Sequence, residues 1–167
     1  MKNHIKEIIF ALCDGGVEYV VGGGVAAVLH GVERVTMDID IAVNLTSGNL
    51  ERLAQATKAL GLTPRVPVPL EALGDPEAIR MMVEEKHAMV FSLIDTRDPL
   101  RYVDIFIKQD LSFPVLAADA EAIRVEGRTI MVVSARRLLA IKKAIVPPRE
   151  KDRIDIIELE RIIHGRP

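Results

Sequence analysis

The stretch YVVGGGVAAVLHGVERVTMDIDIAV (residues 19–43) decides the fold. It opens with the apolar run Tyr19–Val21, which predicts a strand, and three glycines follow directly. Apolar residues from Val25 to Leu29 then predict a short buried helix that ends near Gly31. Residues 34–43 alternate polar and apolar side chains and predict a second strand. The expected local order is therefore strand, glycine turn, short helix and strand.

Two aspartates, Asp38 and Asp40, lie two positions apart in the second predicted strand. Side chains alternate faces along a strand, so both carboxylates share one face while Met37, Ile39 and Ile41 take the other and pack inward. Two close anions repel unless a cation lies between them, and Mg²⁺ is usually held by one or two carboxylates with phosphate and water oxygens. The pair therefore predicts a magnesium site. The alternative is the solvated face of an edge strand.

The glycine triplet Gly22, Gly23 and Gly24 precedes the aspartates by about fifteen residues. A backbone without Cβ atoms can bring its N–H groups close to a phosphate, so the triplet predicts a phosphate-binding turn. Arg34 and Thr36 share the parity of the two aspartates and are expected on the same face. Arg34 is either a phosphate contact or a solvated residue at the strand end.

A third carboxylate, Asp104, lies inside the apolar run Tyr102–Ile107. A charge in such a strand is costly unless it meets a cation or faces solvent. Asp104 is therefore the candidate third ligand if two metal ions activate the attacking oxygen and steady the leaving phosphate. Its alternative is an acid that points into water. Asp95 and Asp98 are assigned to the turn of a hairpin and to no chemistry.

The remaining pattern predicts an α/β (α+β) fold with a small mixed β-sheet, helices packed on one face and a C-terminal helical segment. Further expected elements are helices over residues 4–13, 47–60, 76–86, 134–145 and 151–163, and hairpins over residues 89–107 and 122–133. In the last helix Ile154, Ile157, Leu159, Ile162 and Ile163 are expected to lie mostly inward. One domain is predicted over residues 1–167, with a core of about 17–133 and a helical segment of about 134–167.

The composition is that of an ordinary globular protein, with 49% hydrophobic and 28% charged residues in 167. No apolar run approaches membrane-spanning length and the N-terminal residues lack a signal-peptide pattern, so a cytoplasmic location without a membrane partner is expected. The single cysteine, Cys13, has no partner for an internal disulfide.

Basic residues concentrate between Ser134 and Arg153. This segment contains seven basic and two acidic residues, although the whole chain has a net charge of −2. Lys142 and Lys143 either complement the negative end of a helix dipole or reach a triphosphate. For Lys151 a role as an ordinary charge after the proline break is the alternative to phosphate binding. Aromatic residues make up 4% of the chain and tryptophan is absent, so stacking platforms for single-stranded nucleic acid are few. A polyphosphate tail is the better-matched anion.

The order of these motifs resembles the polymerase-beta-like nucleotidyltransferase superfamily. The resemblance rests on the glycine triplet, His30-Gly31, Arg34, Thr36, Asp38-Ile39-Asp40, Lys142 and Arg149-Glu150-Lys151-Asp152. Within that superfamily the chain is similar to the small stand-alone branch that includes AbiEii-type toxins. At position 24 the family more often has serine. Gly24 keeps the backbone that can cradle a phosphate but has no hydroxyl to contact it.

This resemblance implies a Mg²⁺-dependent enzyme that transfers a nucleoside monophosphate from a nucleoside triphosphate to an acceptor hydroxyl. The implied triphosphate residues are Gly22, Gly23, Gly24, Lys142, Lys151 and Asp152, and the implied metal ligands are Asp38, Asp40 and Asp104. A tRNA end, a protein hydroxyl and a small alcohol all remain open as acceptors.

Two other functions remain as alternatives. A catalytically inactive nucleotide-binding or interaction module of the same fold, such as a toxin-antitoxin component, would keep the same carboxylates. A dinucleotide-binding fingerprint over Gly22, Gly24 and Ala27 is disfavoured because the following helix is short and the acids alternate within a strand.

Overall fold

Residues 4–165 are described by a computed structural model, and within them seven strands form one mixed sheet accompanied by seven α-helices. The strands are β1 Tyr19–Val21, β2 Asp40–Val43, β3 Thr63–Pro64, β4 Val90–Asp95, β5 Asp98–Phe106, β6 Glu121–Val125 and β7 Arg128–Val132. The helices are α1 His4–Asp14, α2 Gly23–Leu29, α3 Ser47–Ala59, α4 Pro76–Arg80, α5 Phe113–Ala117, α6 Ala135–Lys143 and α7 Glu150–Gly165. The predicted mixed α/β class is confirmed. The outermost residues of the predicted domain, 1–3 and 166–167, lie outside the described residues.

The strand order is β3-β4-β5-β2-β1-β7-β6, which puts β2 and β1 at the centre of the sheet. β1 and β2 are antiparallel, whereas β2 runs parallel to β5 and β1 runs parallel to β7. The predicted hairpins are present as the antiparallel pairs β4–β5 and β6–β7. The element that carries Asp40 is therefore held by a neighbouring strand on both sides.

The strand alternation that places the acids is visible in the β2–β5 pair. Ile41 is opposite Ile105, and both are fully buried in the apolar core. One residue earlier, Asp40 is opposite Asp104. Because neighbouring residues of a strand face opposite ways, burial of the isoleucines turns both carboxylates to the other face.

The predicted strand over residues 34–43 is wrong in its first half, because β2 begins only at Asp40. Ile39 still accepts a backbone hydrogen bond of 2.8 Å from Asp104, but residues 34–38 adopt no strand. Ile39 is buried as expected, whereas Met37 is 48% exposed and does not pack inward. The residues before Ile39 lie outside the sheet, so strand alternation does not turn the Met37 side chain towards the core.

The inward face of α7 also differs from the prediction. Ile154 and Ile157 are 48% and 63% exposed, whereas Asp152, Asp155 and Leu159 are completely buried. Both aspartates are ion-paired with Lys142 of α6. Hydrophobic periodicity placed Leu159, Ile162 and Ile163 correctly, but it missed Asp152 and Asp155, whose ion pairs also join this helix to the protein.

The turn between β4 and β5 is tighter than predicted. Asp98 and Pro99 belong to β5, and Asp95 ends β4 by accepting hydrogen bonds from Arg97 and Arg101.

Among residues 4–165, no helix is long and apolar enough to cross a membrane.

Candidate active site

The glycine turn at the end of β1 is pressed against β2. Gly22 donates a 2.8 Å hydrogen bond from its backbone N to the carbonyl oxygen of Asp40, and α2 begins at the next residue. Gly23 has a φ of +57°, and a Cβ on it would lie only 1.9 Å from Oδ2 of Asp40. Both the backbone conformation and this contact require glycine at position 23.

The loop before β2 lies against the same turn. A Cβ on Gly24 would lie 2.6 Å from Oγ1 of Thr36 and 3.1 Å from Nη2 of Arg34. Arg34 and Thr36 therefore contact the glycine turn, close to the carboxylates, as their parity with Asp38 and Asp40 suggested. Their position follows from the path of the loop and not from a continuous strand.

Asp38, Asp40 and Asp104 form an acidic group in which strand pairing holds Asp40 and Asp104 rigidly. Burial, and then the charges of Asp104 and Asp38, raise the pKa of Asp40 to about 6. The pKa of Asp104 is also raised, chiefly by burial and further by Asp38, although a 2.5 Å hydrogen bond from Oγ of Ser92 opposes the shift. The carboxylates thus disfavour one another's ionised form, which is the condition that a bound cation relieves.

Asp38 precedes the strand and is held by side chains instead. Oδ1 accepts a short hydrogen bond from the hydroxyl of Tyr102, and Oδ2 lies 3.5 Å from Nζ of Lys151. The bond to Asp38 raises the pKa of the Tyr102 hydroxyl above its usual value, so this hydroxyl remains a hydrogen-bond donor at neutral pH. Lys151, at the start of α7, thereby reaches across to the acidic group.

These residues share a cleft of about 800 Å³. Ten of the twelve candidate site residues line it: Gly22, Gly23, Gly24, Arg34, Thr36, Asp38, Asp40, Asp104, Lys142 and Lys151. Asp152 lies behind Lys142 and is completely buried. Lys143 points elsewhere, with Nζ 2.5 Å from Oε1 of Glu160, so the structure does not bring it to the cleft.

The acidic group has the donor chemistry that Mg²⁺ prefers, namely carboxylate oxygens beside a space that phosphates and water can enter. Asp38, Asp40 and Asp104 would hold the ion. In residues 4–165, however, no three acidic, histidine or cysteine side chains already converge closely enough to form a metal centre. The donor set fits Mg²⁺, and Asp38 is the member that side chains, and not the sheet, hold in place.

The opposite wall of the cleft is cationic. Lys142 is only 5% exposed and lies 3.2 Å from Oδ1 of Asp152, which also accepts hydrogen bonds from Arg149. Burial alone would raise the pKa of Asp152, but the hydrogen bonds from Arg149 and Lys142 hold it below its ordinary value. Asp152 is therefore an ionised support for the cations and not a direct part of the cleft surface.

Sequence reasoning missed two supporting residues, Tyr102 and Ser92, and named Arg149 only as part of the Arg149–Asp152 motif. Tyr102 is two positions before Asp104 in the predicted strand, so strand parity could have placed it on the face of that acid. Arg149 is three residues before Asp152, which is a helical ion-pair spacing. Ser92 carried no signal, because its place opposite Asp104 follows from the register of the β4–β5 pair.

The fold is similar to that of solved nucleotidyltransferases. Over 97% of this chain and 98% of the other, it matches the lincosamide antibiotic adenylyltransferase LnuA in its lincomycin-bound form, with a TM-score of 0.64 and 18% identity. The antibiotic-resistance factor ANT(2'')-Ia in complex with adenylyl-2''-tobramycin matches with a TM-score of 0.54 and 16% identity, over 96% of this chain and 91% of the other. An antigenic nucleotidyltransferase-like protein from Paracoccidioides brasiliensis matches with a TM-score of 0.58 and 16% identity, over 96% and 77%.

No protein-family model and no curated protein sequence matches the chain. At identities of 16–18%, the solved structures show a shared fold. The chain therefore has the fold of these nucleotidyltransferases. Its resemblance to the polymerase-beta-like superfamily, and within it to the AbiEii-type branch, stays a prediction.

Proposed function

We propose that this protein transfers a nucleoside monophosphate from a nucleoside triphosphate to the hydroxyl of a small-molecule acceptor. The observation that carries the proposal is the meeting, in one cleft, of a glycine turn, three carboxylates and the cations Arg34, Lys142 and Lys151. The fold shared with antibiotic adenylyltransferases supports the same reaction class. In the proposed reaction the acceptor oxygen bonds to the α-phosphorus and its hydroxyl proton passes to water, while the bond from the α-phosphorus to the oxygen that bridges to the β-phosphate breaks and pyrophosphate leaves.

Each part of the cleft has a role in this reaction. The glycine turn packs closely against Asp40, Thr36 and Arg34, which places it beside the carboxylates where the triphosphate would bind. Arg34, Lys142 and Lys151 offset the negative charge of the phosphates, which matters most as charge accumulates on the departing pyrophosphate. Mg²⁺ bound by Asp38, Asp40 and Asp104 would supply Lewis-acid polarisation of the phosphate.

The charge distribution favours a small acceptor over tRNA. Five of the seven basic residues between Ser134 and Arg153 are ion-paired within the chain: Arg137, Lys142, Lys143, Arg149 and Lys151. A polyanion as long as tRNA requires an extended surface of available cations. The volume of about 800 Å³ lies instead in the range of small-molecule sites and suits a nucleotide beside a compact acceptor.

Apolar residues at the cleft border support the same acceptor class. Val146 and Met89 line the cleft although they are 87% and 60% exposed. Exposed apolar side chains beside a polar site suit an organic ligand with both hydroxyl groups and hydrocarbon surface. Lincomycin and tobramycin, the compounds seen with the structural neighbours, are the first acceptors to try.

The test is transfer of radioactive label from each of the four α-³²P-labelled nucleoside triphosphates in the presence of Mg²⁺. Acceptors are supplied separately as small hydroxylated compounds, total tRNA and a protein extract, and Asp40→Asn is the matched inactive control. We expect a labelled small product and stoichiometric pyrophosphate from the wild type only. Label on tRNA or protein would contradict the small-acceptor class. Triphosphate binding without turnover on any acceptor would instead favour the inactive module.

A further inference from the structure

Asp155 connects two cations of the cleft wall through a single oxygen atom. Its Oδ2 lies 2.7 Å from Nη1 of Arg34 and 2.7 Å from Nζ of Lys142. Asp155 itself is completely buried and does not line the cleft, whereas both cations do. It can therefore affect a ligand only through the residues that it holds.

The two cations come from separate parts of the fold. Arg34 lies in the loop between α2 and β2, and Lys142 lies near the end of α6. Two like charges that share one partner oxygen repel each other, so an anion between them is needed to keep them close. Asp155 supplies that anion from α7 and so fixes the spacing of the two cations.

The bonding of Asp155 is incomplete in a way that favours a role beyond stability. Its second oxygen, Oδ1, is buried and has no hydrogen-bond partner among the described residues. Buried acceptors are normally satisfied, and buried ion pairs can often be replaced by apolar residues without loss of stability. An arrangement that leaves one oxygen unpaired while the other holds two cations is better explained by the placement of those cations.

The charges around Asp155 leave the wall positive. The cluster contains the cations Arg34, Lys142 and Arg149 against the carboxylates Asp152 and Asp155, an excess of one positive charge. The facing acidic group contains Asp38, Asp40 and Asp104 beside Lys151. The cleft thus has one wall suited to metal ions and another suited to phosphate oxygens.

We propose that Asp155 is a positioning residue that sets the distance between Arg34 and Lys142 so that both contact the triphosphate. This inference rests on the proposed function. It adds a residue that touches neither nucleotide nor metal, and it predicts that phosphate binding depends on a side chain behind the cleft wall.

The experiment measures binding of inorganic tripolyphosphate with Mg²⁺ by calorimetry, which makes the result independent of the preferred base. Asp155→Asn is compared with Glu160→Gln, which removes another ion pair between α6 and α7 but lies outside the cleft. We expect Asp155→Asn to weaken tripolyphosphate binding at least tenfold and Glu160→Gln to leave it within twofold of wild type. Thermal unfolding of both variants reports the structural cost separately.

A double-mutant cycle separates positioning from general destabilisation. If Asp155 acts through Arg34, the Arg34→Gln and Asp155→Asn effects on the dissociation constant combine to less than their product, whereas independent structural effects multiply. If Asp155→Asn does not fold, Arg34→Gln alone must weaken binding, and unchanged affinity in that variant overturns the proposal. Unchanged or tighter binding in folded Asp155→Asn also overturns it. A wild type that does not bind tripolyphosphate contradicts the proposed function itself.

Discussion

Asp40 and Asp104 stand opposite each other on the parallel strands β2 and β5, so two acids that are distant in sequence occupy adjacent positions on one face of the sheet. The backbone ladder fixes this pair. Its cost is electrostatic, because burial raises the pKa of both carboxyl groups, and the charge of Asp104 raises the pKa of Asp40 further. The free energy of unfolding of the metal-free protein should therefore depend on pH through these two carboxyl groups.

We predict that Asp40→Asn stabilises the metal-free protein above pH 6. The pKa of Asp40 is about 6 in the folded state against an ordinary 3.8, so its protonated form favours folding below pH 4. That contribution disappears as pH rises through 6, at a cost of up to about 3 kcal/mol. Urea unfolding in EDTA between pH 4 and 7.5 checks this. Parallel stability curves for wild type and variant would contradict it, and added Mg²⁺ should stabilise the wild type more.

Gly23→Ala should weaken triphosphate binding at least tenfold. The added Cβ would lie 1.9 Å from Oδ2 of Asp40 and must displace that carboxylate or the turn. Gly127→Ala is the matched control, since Gly127 also has a positive φ, of +81°, but its Cβ would meet nothing within 4 Å. Both variants should lose about 1–2 kcal/mol of stability from backbone strain. Equal nucleotide affinity in the two folded variants, measured by calorimetry, would place the phosphates elsewhere.

Tyr102→Phe should lower Mg²⁺ affinity or turnover by about 10–100-fold, the usual effect of removing a hydrogen bond that orients a ligand. The Tyr102 hydroxyl donates to Asp38, which has no strand neighbour to hold it. Tyr19→Phe removes a comparable buried hydroxyl that donates to the carbonyl oxygen of Ile9. This control should cost stability alone. Metal titration followed by calorimetry distinguishes the two, and identical affinities would show that Tyr102 does not orient Asp38.

Lys151→Ala and Lys143→Ala should differ clearly in their effect on nucleotide affinity. Lys151→Ala removes the cation 3.5 Å from Asp38 and should reduce triphosphate affinity and turnover together. Lys143→Ala removes only an exposed pair with Glu160 and should change stability little, because water screens such pairs. Nucleotide titrations and melting temperatures of the two variants provide the check. A loss of affinity in Lys143→Ala would restore the sequence-based prediction that this residue binds nucleotide.

Sequence patterns predicted the parts of the fold that depend on local periodicity. The glycine turn and both hairpins follow from strand alternation and turn residues, whereas the shared face of Asp40 and Asp104 depends on the β2–β5 pairing. The antiparallel pairing of β1 with β2 and the parallel pairing of β2 with β5 depend on distant segments. Such pairings leave no trace in a single sequence.

The errors at Met37 and in α7 have different physical causes. Met37 alternates correctly with Ile39, but residues 34–38 lie outside the sheet, so alternation there has no core to match. In α7 the apolar residues Ile154 and Ile157 are exposed because Asp152 and Asp155 turn inward to meet Lys142. Periodicity analysis counts hydrophobic residues and cannot weigh a buried ion pair against them.

The early end of β2 gives the acidic group one adjustable member. Asp40 and Asp104 cannot shift without disturbing the sheet. Asp38 lies in a loop, where contacts with the side chains of Tyr102 and Lys151 hold it. Changes confined to residues 32–38 can therefore relocate a single carboxylate while the rest of the molecule keeps its shape.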